Sequence, residues 1–478
     1  MKAKLLFLFL AFWGIANSQT NVSGGIYFNT VWTKVNSPYV ITDSVIVYSG
    51  YSLTIDPGVT VKFNTNAILC LKQASLIAIG TSSDSILFTS NSPSPFAGIY
   101  SGINLDGGIM PSLFQYCNFR YADFAIQNSH INDTLTLKNS SFFSNTNGIS
   151  CPYAMVNLDS CNFRNNSVAL NSGGNISHSI ICNNQTGISG SGQQTVINNC
   201  IVNSNQVGIT AASGKIINNT IKYNLTGINL DYNTTIDNCI ITSNQIGLIT
   251  PYNTCPPKWD SIKNCSIDSN SVEGIEINIT GAVYNCQIKN NNVGLFISNG
   301  TNNVISNCDI EDNQVGIKLL NVGNIISCNK ICNNSVYNLK DSIPSCCNYY
   351  LPNNYWCTSD STIIRGTIYD GNENINLGHI YFMPVDSACY QGNLNSINEI
   401  LNSLIDVFPN PTSGKLTITG IQEKSEIKIF NVFGEKFFTQ QFLANQPTII
   451  DLSSQPAGIY FLQIKTNKDA FVKKIIKE

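Results

Sequence analysis

The chain has 478 residues, 43% of them hydrophobic and only 12% charged, with 17 cysteines and a formal charge of −3. A charge so small and so mixed excludes nucleic acid or an anionic membrane as the main partner. The length allows either two to four ordinary domains or one long array of repeats.

The N-terminal stretch MKAKLLFLFLAFWGIANSQT has a Lys2/Lys4 head, an apolar run from Leu5 to Ala16, and small residues at Ala16 and Ser18. That is the pattern of a secretory signal peptide over 1–18, with cleavage expected between Ser18 and Gln19. The run is short of the ~20 residues a membrane span needs, and no later segment qualifies as transmembrane. A chain that leaves the cytoplasm carries its cysteines into oxidising surroundings.

Residues 31–64 alternate apolar and polar and are predicted to form an opening cap and first coils. Beyond them one phrase recurs: NNCIVNSNQVGIT at 198–210, DNCIITSNQIGLI at 237–249, SNCDIEDNQVGIK at 306–318. Aligned on Gly148, Gly187, Gly208, Gly227, Gly247, Gly274, Gly294 and Gly316, the repeats have a period near 21 and a variable length. Ala125, Ala169 and Asn338 fill the glycine slot elsewhere. This period is too short for helical repeats and suits one coil of a parallel β-solenoid, whose turns absorb the length changes.

The columns of the alignment have separate tasks. About eight places before the glycine stands a small residue, most often Cys (Cys117, Cys161, Cys200, Cys239, Cys265, Cys286, Cys308), with Ser140, Ser179 and Thr220 as substitutes. Two places on comes a large apolar residue, from Phe119 to Ile310, so both should point inward from one strand. Five places after the cysteine column comes Asn, from Asn145 to Asn313, whose amide can donate and accept between coils. The glycine is expected to permit a tight turn into the next strand.

These columns resemble those of right-handed parallel β-helix proteins, and the resemblance implies that fold for 19–392 while leaving its chemistry open. The opening stretch resembles the start of secreted bacterial β-helix proteins. The closing cap, about 340–392, contains NNYWC at 353–357, similar to the Asn-Tyr-Trp-Gly closing element of those proteins, with Cys357 in place of the glycine. Tyr355 and Trp356 would then cover the open end of the core. Coil 251–260, PYNTCPPKWD, is longer than its neighbours, and there Tyr252 and Trp259 either stack on sugar rings or cover the turn.

A linker over 393–404 precedes a different style of sequence. Residues 405–478 hold short alternating strands between Pro, Gly and Asn turns, which predicts a small Ig-like antiparallel β-sandwich. Phe408 to Gly414, Leu452 to Tyr460 and Val472 to Glu478 resemble the type A sorting domain of type IX secretion, found in Bacteroidetes. The resemblance implies passage through the periplasm and across the outer membrane, with the type IX machinery as partner. Removal of the domain and release or surface attachment would follow.

Little of the sequence carries recognisable chemistry. None of the Asn-Thr-Asp, Asp-Asp, Gly-His-Gly or Arg-Ile-Lys strings of polygalacturonases occurs together here as a site, and His130, His178 and His379 are scattered, so neither a metal nor a cofactor is expected. On the exposed file after the cysteine column, Asp268, Lys289 and Glu311 fall on successive coils. They are either a carboxylate pair with a base between or an alternating charge ladder. Asp309 shares a strand face with Glu311. The column cysteines are expected to be buried free thiols, and Cys346, Cys347, Cys357 and Cys389 to be disulfide formers. Asp-Ser/Thr at Asp43, Asp84, Asp133, Asp260, Asp341 and Asp386 resembles an O-glycosylation acceptor of Bacteroidetes, and is equally ordinary turn chemistry. The expectation is a monomeric, exported, surface-attached or secreted protein that binds glycan, adheres to a surface protein or acts as a scaffold without catalysis. The alternative is a polysaccharide lyase or glycoside hydrolase with a diverged site.

Overall fold

A computed structural model describes residues 19–478 apart from 108–110, 129, 131–133, 191–194, 251–259, 279–280, 344–346, 391–405, 420–423, 432–435, 443–447 and 466–469. The expected signal peptide, with Ser18, and the pair Tyr252 and Trp259 lie outside the described residues. The chain divides into two compact units, Met1–Gly174 and Asn175–Glu478, each described by itself. Among the described residues no helix is long and apolar enough to cross a membrane.

In the first unit parallel strands stack coil on coil, with Phe119 opposite Phe142 and Phe142 opposite Phe163. The large-residue column is aromatic here. Phe88, Phe119, Phe142 and Phe163 are fully buried and stack with ring centroids 4.8, 4.7 and 4.5 Å apart. The coil spacing places the rings within the range where aromatic pairs attract beyond their burial. Trp32 stacked on Tyr39 at 4.8 Å lies among the first coils.

The second unit repeats the coil with an aliphatic column: Ile181, Val202, Ile221, Ile241, Ile267, Ile288 and Ile310 are all buried. One coil shows the plan. Ile240–Thr242 follows the cysteine, Ile246–Ile249 runs through the glycine, and Asp260–Lys263 completes the coil. Each pairs in parallel register with Ser266–Asp268, Glu273–Ile277 and Gly281–Tyr284 of the next coil. The chain turns at two left-handed residues, Asn238 (φ 53°) before Cys239 and Ser243 (φ 55°) before Asn244. Asn tolerates that conformation because its short amide can bond locally.

The asparagine column is buried and continuous within the unit. Asn205 donates from its backbone and from its Nδ2 to Asn224 Oδ1, at 2.9 and 3.0 Å, while Nδ2 also reaches Ile181 O at 3.1 Å. The same pattern carries the ladder on through Asn244, Asn270, Asn291, Asn313 and Asn334 to Asn338 Oδ1. Each amide thus satisfies a turn that would otherwise bury unpaired backbone groups.

Two column assignments need correction. The glycines do not turn through positive φ: a Cβ on Gly187 or Gly208 would stand 2.3 or 2.4 Å from the carbonyl oxygen of the glycine in the next coil. Close approach of two backbones, not a left-handed turn, therefore selects glycine. Thr220 does not occupy the cysteine column, because it pairs with Ile201 and Ile240. Asn219 does, and its Oδ1 accepts from Cys200 N at 2.8 Å.

The closing cap covers the last coils. Trp356 is buried edge-on against Phe382 at 6.1 Å, and Arg365 lies over the same ring at 4.9 Å. The short helix Ser361–Arg365 starts on Asp360, whose carboxylate accepts from Thr362 N at 2.8 Å. Cys357 takes φ 61°, the conformation that a glycine would adopt most cheaply. It is bonded to Cys332, and Cys389 to Cys328. The disulfide expectation is thus half right. Cys346 lies outside the described residues, and the partners of Cys357 and Cys389 both come from the coils. They do so because the closing segment returns along the coils, where Cys328 and Cys332 flank the column position held by Asn329. The column cysteines themselves are buried, and Cys117, Cys239, Cys265, Cys286 and Cys308 are free thiols.

Residues 406–478 form two antiparallel sheets. One holds Asp406–Phe408, Lys415–Thr419 and Thr448–Asp451; the other holds Lys436–Phe442, Ser425–Asn431, Gly458–Lys465 and Ala470–Lys477. Leu416, Ile418, Ile427, Ile429, Ile450, Leu462, Ile464 and others make their common buried cluster.

Candidate functional site

Asp268, Lys289 and Glu311 do fall in one register column, on Ser266–Asp268, Gln287–Lys289 and Asp309–Glu311. Their chemistry differs along it. Glu311 is only 6% exposed and lies between two ammonium groups, Lys289 Nζ at 2.5 Å from Oε1 and Lys330 Nζ at 2.7 Å from Oε2. Burial alone would raise its carboxyl, but the two lysines outweigh burial and hold it below the usual carboxylate range. Asp309, on the same face, is pushed up by burial, with Lys289 opposing and Glu311 reinforcing. Tyr390 Oη donates to Asp309 Oδ1, so the closing segment that Cys389 fastens to Cys328 covers this acid. Asp268 is bonded to Asn290 Nδ2 at 2.7 Å. A carboxylate saturated by two lysines has little basicity to offer a substrate, whereas it does hold three coils together.

A second outward column, which counting back from the glycine does not reach, carries bulkier chemistry. Two places after the glycine, the register runs Ser189, Thr210, Asn229, Ile249, Glu276, Phe296, Lys318, Lys340 and Tyr369. Its small polar members give way to aromatic and charged ones from Glu276 onward. Lys318 Nζ lies 4.4 Å above the Phe296 ring, and Lys340 Nζ 5.7 Å above that of Tyr369. Tyr337 leans on Tyr369 at 5.3 Å. Rings faced by ammonium groups combine an apolar platform with a cation.

At the head of this column Glu273 is pushed up to about 7, first by burial and then by the charge of Glu276 beside it, with Lys318 opposing. Glu276 Oε1 accepts from Asn278 Nδ2 at 3.3 Å and Ser298 Oγ at 3.4 Å. Glu273 therefore holds its proton up to near neutrality. The signal that could have found it is the shift in residue type at the glycine-plus-two position after Ile249.

Among the described residues no group of three or more His, Cys, Asp or Glu is set to hold a metal ion. His130 Nε2 meets Asp106 Oδ1 at 3.0 Å, far in sequence from His178 and His379.

Fold and faces together define an exported parallel β-solenoid with about 21 residues per coil and a C-terminal sorting domain. Residues 406–478 match the family described as the secretion system C-terminal sorting domain, which marks the chain for type IX export across the outer membrane. Residues 257–373 match the family described as periplasmic copper-binding protein (NosD). No curated protein sequence matches the chain. Among solved structures it is similar to a variant of the periplasmic alginate epimerase AlgG, at 11% identity over 72% of this chain and 78% of that one, with a TM-score of 0.34. It is also similar to a variant of the tailspike protein of E. coli bacteriophage HK620 with pentasaccharide, at 9% identity over 96% and 86%, with a TM-score of 0.35. A third likeness is to tailspike gp49 of Acinetobacter baumannii bacteriophage Fri1, a capsular polysaccharide depolymerase, at 10% identity over 94% and 78%, TM-score 0.24. Likenesses this slight say nothing of what this chain binds.

Proposed function

We propose that this chain is a non-catalytic glycan-binding protein of Bacteroidetes, delivered by the type IX machinery to the cell surface or the medium. The mature body would be residues 19–392, freed from the signal peptide between Ser18 and Gln19 and from the sorting domain 405–478 through the linker 393–404. The observation that carries the reading is the outward column in which Phe296 and Tyr369 each lie beneath a lysine. An aromatic face takes the apolar face of a sugar ring, and an ammonium takes its hydroxyls or a carboxylate. Titration of the full chain with neutral and acidic glycans tests this. Binding by the wild type that falls in Phe296→Ala and Lys318→Ala is expected, and equal binding by all three would refute it.

A second reading has its own observation. Glu273 is pushed up to about 7 by burial and by the charge of Glu276 beside it, as a general acid next to a carboxylate would be. This is the lyase or hydrolase alternative, and it requires newly released chain ends.

Copper does not carry over from the NosD description. In 257–373 the column thiols are Cys265, Cys286 and Cys308, and each Sγ is tied to a backbone carbonyl, at 3.0, 3.4 and 3.3 Å. Burial pushes the Cys265 and Cys286 thiols well above their ordinary value, and a copper ligand must be a thiolate. These three column thiols do not fit the metal.

A further inference from the structure

The four-stranded sheet within residues 406–478 has one face turned to the domain's core, where Ile427, Ile429, Leu462, Ile464 and Ile475 are buried. Side chains alternate along a strand, so the residues between these point outward. Antiparallel register lines up Lys436, Phe430 and Phe461 on that outer face and sets Lys474 opposite Phe461. Ile459 and Ile476 lie opposite each other beside them. Phe461 is 40% exposed, and Ile459 and Ile476 are 38% exposed each, so an apolar strip is left facing solvent.

The same face is basic. Lys465 and Lys428 follow Phe461 and Phe430 on it, with Glu426 as the acid among them. Glu426 is bonded to Lys428 at 2.7 Å, which with the charges of Lys436 and Lys465 holds its carboxyl below the usual range. Neither Lys436 nor Lys465 has an ion-pair partner among the described residues. The outward side of the other sheet differs: there Lys415 is answered by Asp451 at 3.8 Å.

We propose that this outer face is where the export machinery grips the chain, through a protein that presents an apolar ridge flanked by carboxylates. Residues 406–478 match a sorting domain, so a protein of the type IX system is the partner this domain has to meet. Aromatic side chains grouped on an exposed sheet face supply the water-excluding centre of a protein contact. Lysines without acids beside that centre supply a rim that steers and selects carboxylates. An anionic lipid surface fits less well, because Glu426 stands among the cations.

The inference concerns the sorting domain alone and does not depend on the glycan reading, so either can fail without the other. The test is export of the full chain in a bacterium with a type IX system, measured as chain outside the outer membrane against chain retained inside. Phe461→Glu should lower export about tenfold, the effect of losing one interface anchor. Lys436→Glu combined with Lys465→Glu should lower it about fivefold, since rim charges contribute less, and the same two lysines changed to Arg should not lower it. Ile449→Glu, on the outward side of the other sheet, should be exported like the wild type. Thermal unfolding of the purified chains separates lost contact from lost fold; where Phe461→Glu melts early, the exchanges at the exposed Lys436 and Lys465 decide. Wild-type export of a folded Phe461→Glu, or of the double lysine-to-Glu variant, overturns the assignment, and so does an equal loss in Ile449→Glu. Wild-type chain that floats with phosphatidylglycerol vesicles, and stops doing so in the lysine-to-Glu variant, gives the face to a membrane and overturns it as well.

Discussion

Glu311 and Thr195 are both polar side chains closed off from water in the second unit, and they differ in what answers them. Glu311 has an ammonium on each oxygen, one from the coil before and one from the coil after. Thr195 Oγ1, turned to the core side with Ile197, has no hydrogen-bond partner among the described residues. Internal saturation reads as architecture, since every charge is spent on a neighbouring coil. An unanswered hydroxyl on the core side reads instead as a local cost of about 1–3 kcal/mol. The same contrast separates the asparagine ladder, whose amides are used up within the turn, from the Phe296 column, whose rings and lysines face outward.

The saturated side should break hardest. Glu311→Ala leaves two lysines facing each other, and loss of one partner of a buried pair costs about 3–5 kcal/mol. A clearly lower unfolding temperature for the full chain would confirm it, and an unchanged one would move Glu311 to the unspent side of the comparison. The effect has a sign in pH. Because the folded carboxyl lies below its ordinary value, its stabilisation is present above the usual glutamate range and is lost as pH falls through the folded value. Wild type and Glu311→Gln should therefore converge in stability on acidification.

Asn244→Ala comes next. It removes the acceptor for Asn224 N and Nδ2 and a donor to Ile221 O, stranding buried groups at about 1–3 kcal/mol. Asn203→Ala, on the outward face, should cost less than about 0.5 kcal/mol. Thermal unfolding of the two side by side measures how much of the contrast is burial.

Phe296→Ala should do the opposite: little change in stability, but glycan binding weaker by about fivefold to tenfold, as loss of roughly 1 kcal/mol of ring contact implies. The smallest expected effect is again in pH. Glu273 holds its proton up to about 7, so below that value the face carries one negative charge fewer and an acidic glycan should bind more tightly. The same raised value means that Glu273's contribution to stability is lost as pH rises from the usual glutamate range through about 7. Glu273→Gln should flatten the binding profile.

The coil was legible in the sequence because it repeats. One phrase fixes the cysteine, large-apolar and asparagine columns, and a buried ladder needs the same amide on every coil. What repetition does not encode was misread or missed. Local sequence assigns the glycine to a turn, although its cause, a carbonyl of the next coil 2.3–2.7 Å from where a Cβ would stand, is a contact between coils and leaves no mark in the local sequence. A one-residue shift of its repeat puts the small Thr220 in the cysteine column, yet the unshifted Asn219 suits that site because its amide reaches Cys200 N. The disulfide partners Cys328 and Cys332 depend on the path of the closing segment. Among candidate sites, Asp268, Lys289 and Glu311 were correctly aligned, but their saturation by Lys330 involved a residue from another column. The Phe296 column depends on third-dimension neighbours that single spacings do not reveal.

The most direct test of the central claim places the full chain with a panel of acidic and neutral polysaccharides and records, in the same wells, bound glycan and newly released reducing or unsaturated ends. The account predicts binding without release, reduced by Phe296→Ala. Release of ends that Glu273→Gln abolishes would contradict it and make the paired carboxylates an active site.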